Sequence, residues 1–202
     1  MAVGIIYGPW ASGGVPPHGA LEEIQPPTEE PIALPEAKII LRLDADDATE
    51  DAIVAAQITA ARQQVETETS SFLAQGIYRY WRDGIPCSGV LLLPRAPVLA
   101  IASVTVYAQD APEVLLDPTT YRLDGASNPP RVIVLSGPTG SSSARLLQTI
   151  AIQFTGGPAV APAWAVQAIR LLLEYWRVPT AGPETLEAYQ DLIRSHYRPG
   201  VA

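Results

Sequence analysis

Several residue types on which catalysis, metal binding or disulfide formation depend are scarce in this chain. Cys87 is the only cysteine among 202 residues, so an intrachain disulfide is excluded, which is typical of a protein made in the cytoplasm. The two histidines, His18 and His196, lie far apart, and neither has another ligand at the spacing of a metal site. We therefore expect neither a metal nor a cofactor.

Long apolar runs are also missing. No stretch of about eighteen apolar residues occurs, so the sequence predicts no membrane-spanning helix and no membrane partner. The start of the chain lacks a basic segment followed by a long apolar run, so we expect no secretory signal.

Motifs of known catalytic centres are absent from the sequence. Neither a G-x-S-x-G elbow nor a phosphate-binding loop occurs, and Cys87 has no neighbouring base. Asp44, Asp46 and Asp47 lack the spacing of a calcium-binding loop, so we interpret them as caps of the following helix. Because no pair of positioned titrating groups can be named, we predict no catalytic residues and no enzyme. An uncharacterised small-ligand binder or hydrolase is the alternative.

Positive charge is limited and comes almost entirely from arginine. Lys38 is the only lysine among thirteen basic residues, and the net charge is −8, so the chain lacks the cations that phosphate binding requires. Arg79 and Arg82 flank Tyr80 and Trp81, a cluster that can stack on nucleobases. On an alternating strand, an arginine that covers the tryptophan is the simpler interpretation.

The sequence does contain a long amphipathic helix, predicted from about residue 48 to 74. Apolar residues recur at steps of three and four along one face: Val54, Ile58, Ala61, Val65 and Phe72, with Thr69 on the same line. The opposite face carries Gln57, Gln63, Gln64 and Glu68. Such a helix packs one face against a core and leaves the other to water.

The remaining patterns predict the rest of the fold. Short helical and strand patterns occur at 34–41, 77–81, 90–93, 100–107, 121–123, 131–135 and 149–154. Two further helices are predicted within 162–197. The spacers between strands are too short for helical crossovers, so we expect a small antiparallel sheet.

We therefore predict an α+β fold. It consists of a helical bundle, built from the long N-terminal helix and two C-terminal helices, with a small antiparallel β-sheet insertion and an extended N-terminal arm. Residues 1–33, rich in proline and glycine, form the arm. Residues 34–198 form the main domain, with helices in 34–74 and 162–197 and the β-rich insertion in 77–155.

Four segments resemble one known family in their order and spacing. They are EPIALPEAKIILRLD with the helix that follows, VLLLPRAPVLAIASVTVYAQD, TTYRLDGASNPPRVIVL and TIAIQFTGGPAVAPAWAVQAIRLLLEYW. Together they span about residues 30–178 and resemble the head–tail adaptor (connector) proteins of tailed bacteriophages and of gene transfer agents, which are phage-like particles.

The resemblance implies a structural protein of the particle neck, assembled in the bacterial cytoplasm. Such an adaptor forms a ring, often of twelve copies, between the portal and the stopper or tail, and extends the channel through which DNA passes without specific binding. Carried onto this chain, it points to Arg194, Tyr197 and Arg198 for portal contact. We further expect Ile5, Tyr7 and Trp10 of the arm to contact a neighbouring subunit or partner. Another neck or tail-completion protein is the alternative within this class.

Overall fold

The computed structural model describes residues 19–86, 88–108, 112–135, 148–177 and 182–197. The chain divides into two compact units. The sheet unit comprises residues 1–26, 75–157 and 199–202, and the helical unit comprises residues 27–74 and 158–198. Each unit is therefore built from segments that are distant in the sequence.

Four helices form the described part of the helical unit: α1 Leu34–Ile40, α2 Asp51–Thr69, α3 Ala163–Arg177 and α4 Pro183–His196. Pro35 and Pro183 lie in first turns, where a missing amide proton removes no helical hydrogen bond. The helix that we predicted at 48–74 is shorter at both ends. Ser70 ends it with a left-handed φ of 50°, and its amide donates to the carbonyl of Glu66.

The apolar seam predicted on α2 is confirmed. Val54, Ile58, Ala61, Val65 and Thr69 are all buried, as is Phe72 just beyond the helix end. The core of the helical unit is completed by apolar side chains of the other helices, among them Ala37, Ala168, Ile169, Leu172, Leu173, Tyr189 and Ile193. Full burial of one such large side chain stabilises the fold by about 1.5–3 kcal/mol, so the seam holds this unit together.

The sheet unit contains two antiparallel sheets in its described residues. Its strands are β1 Gly19–Gln25, β2 Gly76–Asp83, β3 Val90–Leu92, β4 Val98–Ala108, β5 Val114–Leu115, β6 Tyr121–Asp124, β7 Arg131–Val134 and β8 Gln148–Gly156. The first sheet has five strands in the order β1-β2-β8-β4-β5, and the second has three in the order β3-β7-β6.

Register in the five-stranded sheet separates a buried face from an outer face. Tyr80 of β2 lies opposite Ile152 of β8, which lies opposite Val104 of β4, and all three are buried. One position along, Arg79 lies opposite Gln153, and both are partly exposed. Since neighbouring residues of a strand point to opposite faces, this alternation gives the sheet one apolar and one polar side.

The predicted fold class, a helical bundle with a small sheet and an extended arm, is wrong. The described residues form eight strands in two sheets, so the fold is mixed and rich in sheet. Two strands were not predicted. β1 lies in the segment assigned to the arm and carries Glu22 and Glu23, while β5 is only two residues long, Val114–Leu115. Neither has the β-branched, alternating pattern of an independent strand, so only pairing with a neighbour defines them.

Candidate interaction surfaces

The C-terminal end of α4 is fixed to the start of α3 by an aromatic stack. The His196 ring lies 4.4 Å from the Trp164 ring at an interplanar angle of 12°. The Nδ1 atom of His196 lies 3.0 Å from the Leu192 carbonyl oxygen and 2.8 Å from the Ser195 hydroxyl. These contacts hold the last turn of α4 in a defined position, so residues of this turn are presented on a rigid element.

Two of the three residues predicted for portal contact lie on this rigid helix end. The side chain of Arg194 is 73% exposed, and its Nη1 donates to Asp191 Oδ1 at 3.0 Å, one turn earlier. Tyr197 is 58% exposed, and Arg198 lies outside the described residues. An exposed ion pair contributes only about 0–1 kcal/mol to folding, so Arg194 is available for a partner at little cost in stability.

Ile5, Tyr7 and Trp10, the residues predicted to reach a neighbouring subunit, lie outside the described residues. The described chain begins at Gly19, where β1 occupies one edge of the five-stranded sheet. The segment that carries the three residues is therefore joined to an edge strand.

The outer face of the five-stranded sheet carries a connected polar and aromatic cluster. Arg79 lies over the Trp81 ring at 5.6 Å and 3.6 Å from Glu22 Oε2, and Trp81 Nε1 donates to the same oxygen at 2.9 Å. The Trp81 and Tyr107 rings lie 5.6 Å apart. We name Glu22, Arg79, Trp81, Tyr107 and Gln153 the outer-face cluster. The prediction that an arginine covers the tryptophan is confirmed, and these side chains bind one another.

A buried charge network crosses the helical unit, and the sequence pattern did not predict it. Arg62 is fully buried; its Nε donates to Glu30 Oε2 at 2.8 Å and its Nη1 to Glu66 Oε2 at 3.1 Å. Glu66 Oε1 accepts from the Leu73 amide at 2.8 Å, and Glu30 Oε1 accepts from the Thr59 hydroxyl. The only sequence signal is the i, i+4 spacing of Arg62 and Glu66 directly beside the seam, which is common on exposed helices.

Lys38 organises the acidic loop that precedes α2. Its Nζ lies 2.5 Å from Asp51 Oδ1 and donates to the carbonyl oxygens of Ala45 and Asp47. Asp47 Oδ1 accepts from the Thr49 amide, and these hydrogen bonds lower the pKa of Asp47.

The acidic residues of this loop were predicted to cap α2, and that prediction is wrong. Glu50 occupies the cap position and makes no side-chain cap hydrogen bond. Asp44 and Asp47 instead accept amides two residues further along, which forms turns within the loop. Within the described residues, no three His, Cys, Asp or Glu side chains are grouped closely enough to hold a metal ion.

The described carboxyl groups do not form the pair that acid–base catalysis requires. The pKa values of Asp117 and Asp124 are lowered, by hydrogen bonds from Thr119 and Arg131 respectively, whereas a general acid needs a raised pKa. A groove of about 380 Å³ lies between the 29–34 segment and α2, with Ile32 and Ile58 in its wall. Both oxygens of Glu30, which also lines it, already accept hydrogen bonds. The groove therefore offers an apolar surface and no catalytic pair.

None of the helices in the described part of the chain combines the length and the apolar character that crossing a membrane requires.

Comparison with known proteins identifies solved structures of the same fold. No protein-family model and no curated protein matches the sequence. A chain in the neck of an empty gene transfer agent particle, computed with C6 symmetry, superimposes with a TM-score of 0.70 at 22% identity. A chain in the virion of a native gene transfer agent particle gives the same values. A chain in the neck of the native particle, computed with C12 symmetry, gives 0.63 at 23%.

Each match covers 90% of this chain and 97% of the other. The resemblance to gene transfer agent neck proteins that the sequence predicts is therefore confirmed at the level of the fold, over nearly the whole length of both chains.

Proposed function

We propose that this protein is a structural component of a particle neck, a head–tail adaptor that forms a ring between the portal and the stopper or tail. The observation that carries the proposal is the fold shared with neck chains of a gene transfer agent over 97% of their length. Particle necks computed with sixfold and twelvefold symmetry favour a ring of identical copies, and we propose twelve.

The mechanism is attachment at many points. Each copy contributes a modest contact, and once one copy is bound, the remaining contacts of the ring form at high effective concentration. The chain then needs no catalytic group, which agrees with the paired and turn-bound carboxylates of its described residues. Its net charge of −8 suits a channel wall along which DNA passes without specific binding.

We propose that the end of α4 binds the portal, through Arg194, Tyr197 and Arg198. Arg194 and Tyr197 are exposed on a helix end that the Trp164–His196 stack holds in place. Tyrosine and arginine are enriched among residues that dominate binding at interfaces, because each covers a large area and offers hydrogen bonds. The arm, with Ile5, Tyr7 and Trp10, contacts the neighbouring copy.

Electron microscopy of the full-length protein mixed with purified portal protein tests the proposal. We expect rings seated on the portal. A variant with Arg194→Ala and Tyr197→Ala should bind the portal more weakly by at least about 2 kcal/mol, since residues that dominate an interface contribute that much. Arg122→Ala is the matched control, because Arg122 is also exposed but belongs to β6 of the sheet unit.

Three other outcomes would contradict the proposal at different levels. Rings that seat on the portal equally well with both variants would remove the α4 end from the portal contact. Binding to another neck or tail protein, but not to the portal, would favour the tail-completion alternative. A protein that ignores all particle components and turns over a substrate would exclude a structural role.

A further inference from the structure

One edge of the five-stranded sheet is only partly covered. β5 pairs with β4 at Thr105 and Val106 alone, and the Leu116 amide extends this contact to the Val104 carbonyl. At the other end, a Cβ on Gly125 would lie 3.0 Å from the Val98 carbonyl oxygen, so the backbone of residue 125 covers that position. Among the described residues, no strand pairs with residues 99–103 on the side away from β8. We name residues 99–103 the open edge.

The open edge is apolar, unlike most exposed strand edges. Its sequence is LAIAS; Leu99 is 49% exposed, and Ala100 and Ala102 are exposed as well. Next to it, Leu115 of β5 is 67% exposed. Native proteins usually protect such an edge with charged residues or proline, because a free apolar edge pairs with any other strand. Here the open edge carries neither, which indicates that a specific strand covers it.

Two irregularities limit which strand can bind. The pairing of β4 with β8 shifts between Val98 and Ala100 and again between Ile101 and Ser103. Bulges of this kind bend a strand and interrupt its hydrogen-bonding pattern, so a free strand in solution binds weakly. A short strand that is tethered nearby is favoured, since the tether supplies a high effective concentration.

The N-terminal segment of the chain has the composition of such a strand. Residues 3–7 read VGIIY, with three β-branched residues and one tyrosine, and Gly8-Pro9 follows. A strand added to the open edge would itself be an edge strand, where a neighbouring proline is tolerated.

The length and the attachment point of this segment decide whose open edge it reaches. Eighteen residues precede Gly19, and at roughly 3.3 Å per residue they span up to about 60 Å. They join the sheet at β1, which lies at the opposite side from β4 and β5. To reach the open edge of its own sheet, about 19 Å away at 4.8 Å per strand, the segment would have to cross the outer-face cluster. The open edge of the next copy in a ring requires no such crossing.

We propose that residues 3–7 of each copy add a strand to the open edge of β4 in the neighbouring copy. The contact is head-to-tail, because β1 of one copy faces β4 of the next, and contacts of this kind close into rings when the rotation between copies is right. Backbone hydrogen bonds supply affinity, and Ile5 packs on Leu99 or Ile101. The inference rests on the proposed function, since it requires neighbouring copies in a ring.

Disulfide trapping between two differently tagged full-length chains tests the inference. In a Cys87→Ser background, one chain carries Ile5→Cys and the other Ala100→Cys, and both are assembled on the portal before mild oxidation. We expect a cross-linked heterodimer that forms at least about tenfold faster than with the control, because tethered partners meet at about millimolar effective concentration. The matched control replaces Ala100→Cys by Arg122→Cys, an exposed strand residue of the three-stranded sheet.

A single chain with both Ile5→Cys and Ala100→Cys separates the remaining occupants. We expect a ladder of covalently linked copies. Cross-linking only within one chain would overturn the inference in favour of the chain's own arm. Rings seated on the portal with no cross-link above the control level would overturn the inference and leave the proposed function standing. Failure to form rings on the portal at all would overturn both.

Discussion

The helical unit and the sheet unit place their charged groups in opposite ways. In the helical unit, Arg62 and Glu66 are buried among the helices and bind each other and the adjoining chain. In the sheet unit, the described interior is apolar, as at Ile152 and Phe154, and charged groups such as Arg79 lie on the outer face. The helical unit therefore depends on polar contacts for its internal order, whereas the sheet unit depends on alternation.

The difference teaches where each unit tolerates change and where it binds. A buried ion pair is costly to break, because removing one partner leaves the other charge without solvation. An outer-face pair is replaced by water when it is lost. A sheet, however, has edges whose backbone groups need partners, and a set of helices has none. We therefore expect the helical unit to be sensitive to polar substitutions and the sheet unit to associate through its edges.

The largest expected effect is that of Arg62→Met. It leaves the buried carboxylate of Glu66 without its arginine, so we expect the free energy of unfolding to fall by about 3–5 kcal/mol in urea titrations. Arg194→Met is the matched control, since its pair with Asp191 is exposed and should change stability by no more than about 0.5 kcal/mol. Adding Glu66→Gln to Arg62→Met removes the stranded charge and should recover part of the loss. A loss below about 1 kcal/mol for Arg62→Met would break the comparison.

A smaller effect is expected from Tyr189→Phe. The buried Tyr189 hydroxyl donates to Glu68 Oε2 at 2.8 Å, so its removal should cost about 1 kcal/mol at pH 7. Burial and the Glu68 carboxylate raise the pKa of Tyr189 well above its usual 10. The unfolded chain then ionises first, so this stabilisation is complete below about pH 10 and is lost above it.

The pH series of urea unfolding should show this sign directly. The gap between the wild type and Tyr189→Phe should narrow as the pH rises past about 10. Tyr197→Phe is the control, because Tyr197 is exposed and its variant should follow the wild type at every pH. A gap that widens above pH 10 would contradict the predicted role of Tyr189.

The smallest effect is expected on the outer face of the sheet, from Arg79→Met. Arg79 lies 3.6 Å from Glu22 and 5.6 Å from the Trp81 ring centre, both partly exposed contacts worth about 0.5–1 kcal/mol together. Thermal unfolding should therefore shift by a few degrees at most. A loss above about 2 kcal/mol would mean that the outer-face cluster organises the sheet, and the two units would no longer differ in this respect.

Much of the fold was predictable because its signals are local. Helical spacing identified the seam on α2 and the apolar faces of α3 and α4, and alternation identified β2, β4 and β8 near their observed bounds. β1 was not predictable, since its residues favour a strand only when β2 lies beside them. The predicted caps before α2 also failed, because Lys38 draws that loop into its own hydrogen bonds.

The candidate surfaces divide in the same way. Arg194 and Tyr197 were predicted from the resemblance and lie exposed on α4, but their partner remains a proposal. The open edge was not predictable, because LAIAS reads as an ordinary strand segment until the pairing of β4 is known. Which edge of a strand is free depends on neighbours that are distant in the sequence.

The sequence by itself determined the periodicities, the scarcity of cysteine and histidine, the acidic charge and the order of segments that resembles neck proteins. Tertiary structure alone decided that Arg62 is buried beside Glu66, that β1 joins β2, and that the β4 edge at residues 99–103 is left without a strand in the described chain. The physical reason is range: periodicity is set by neighbours a few residues apart, whereas burial, pairing and edges are set by residues that meet only after folding.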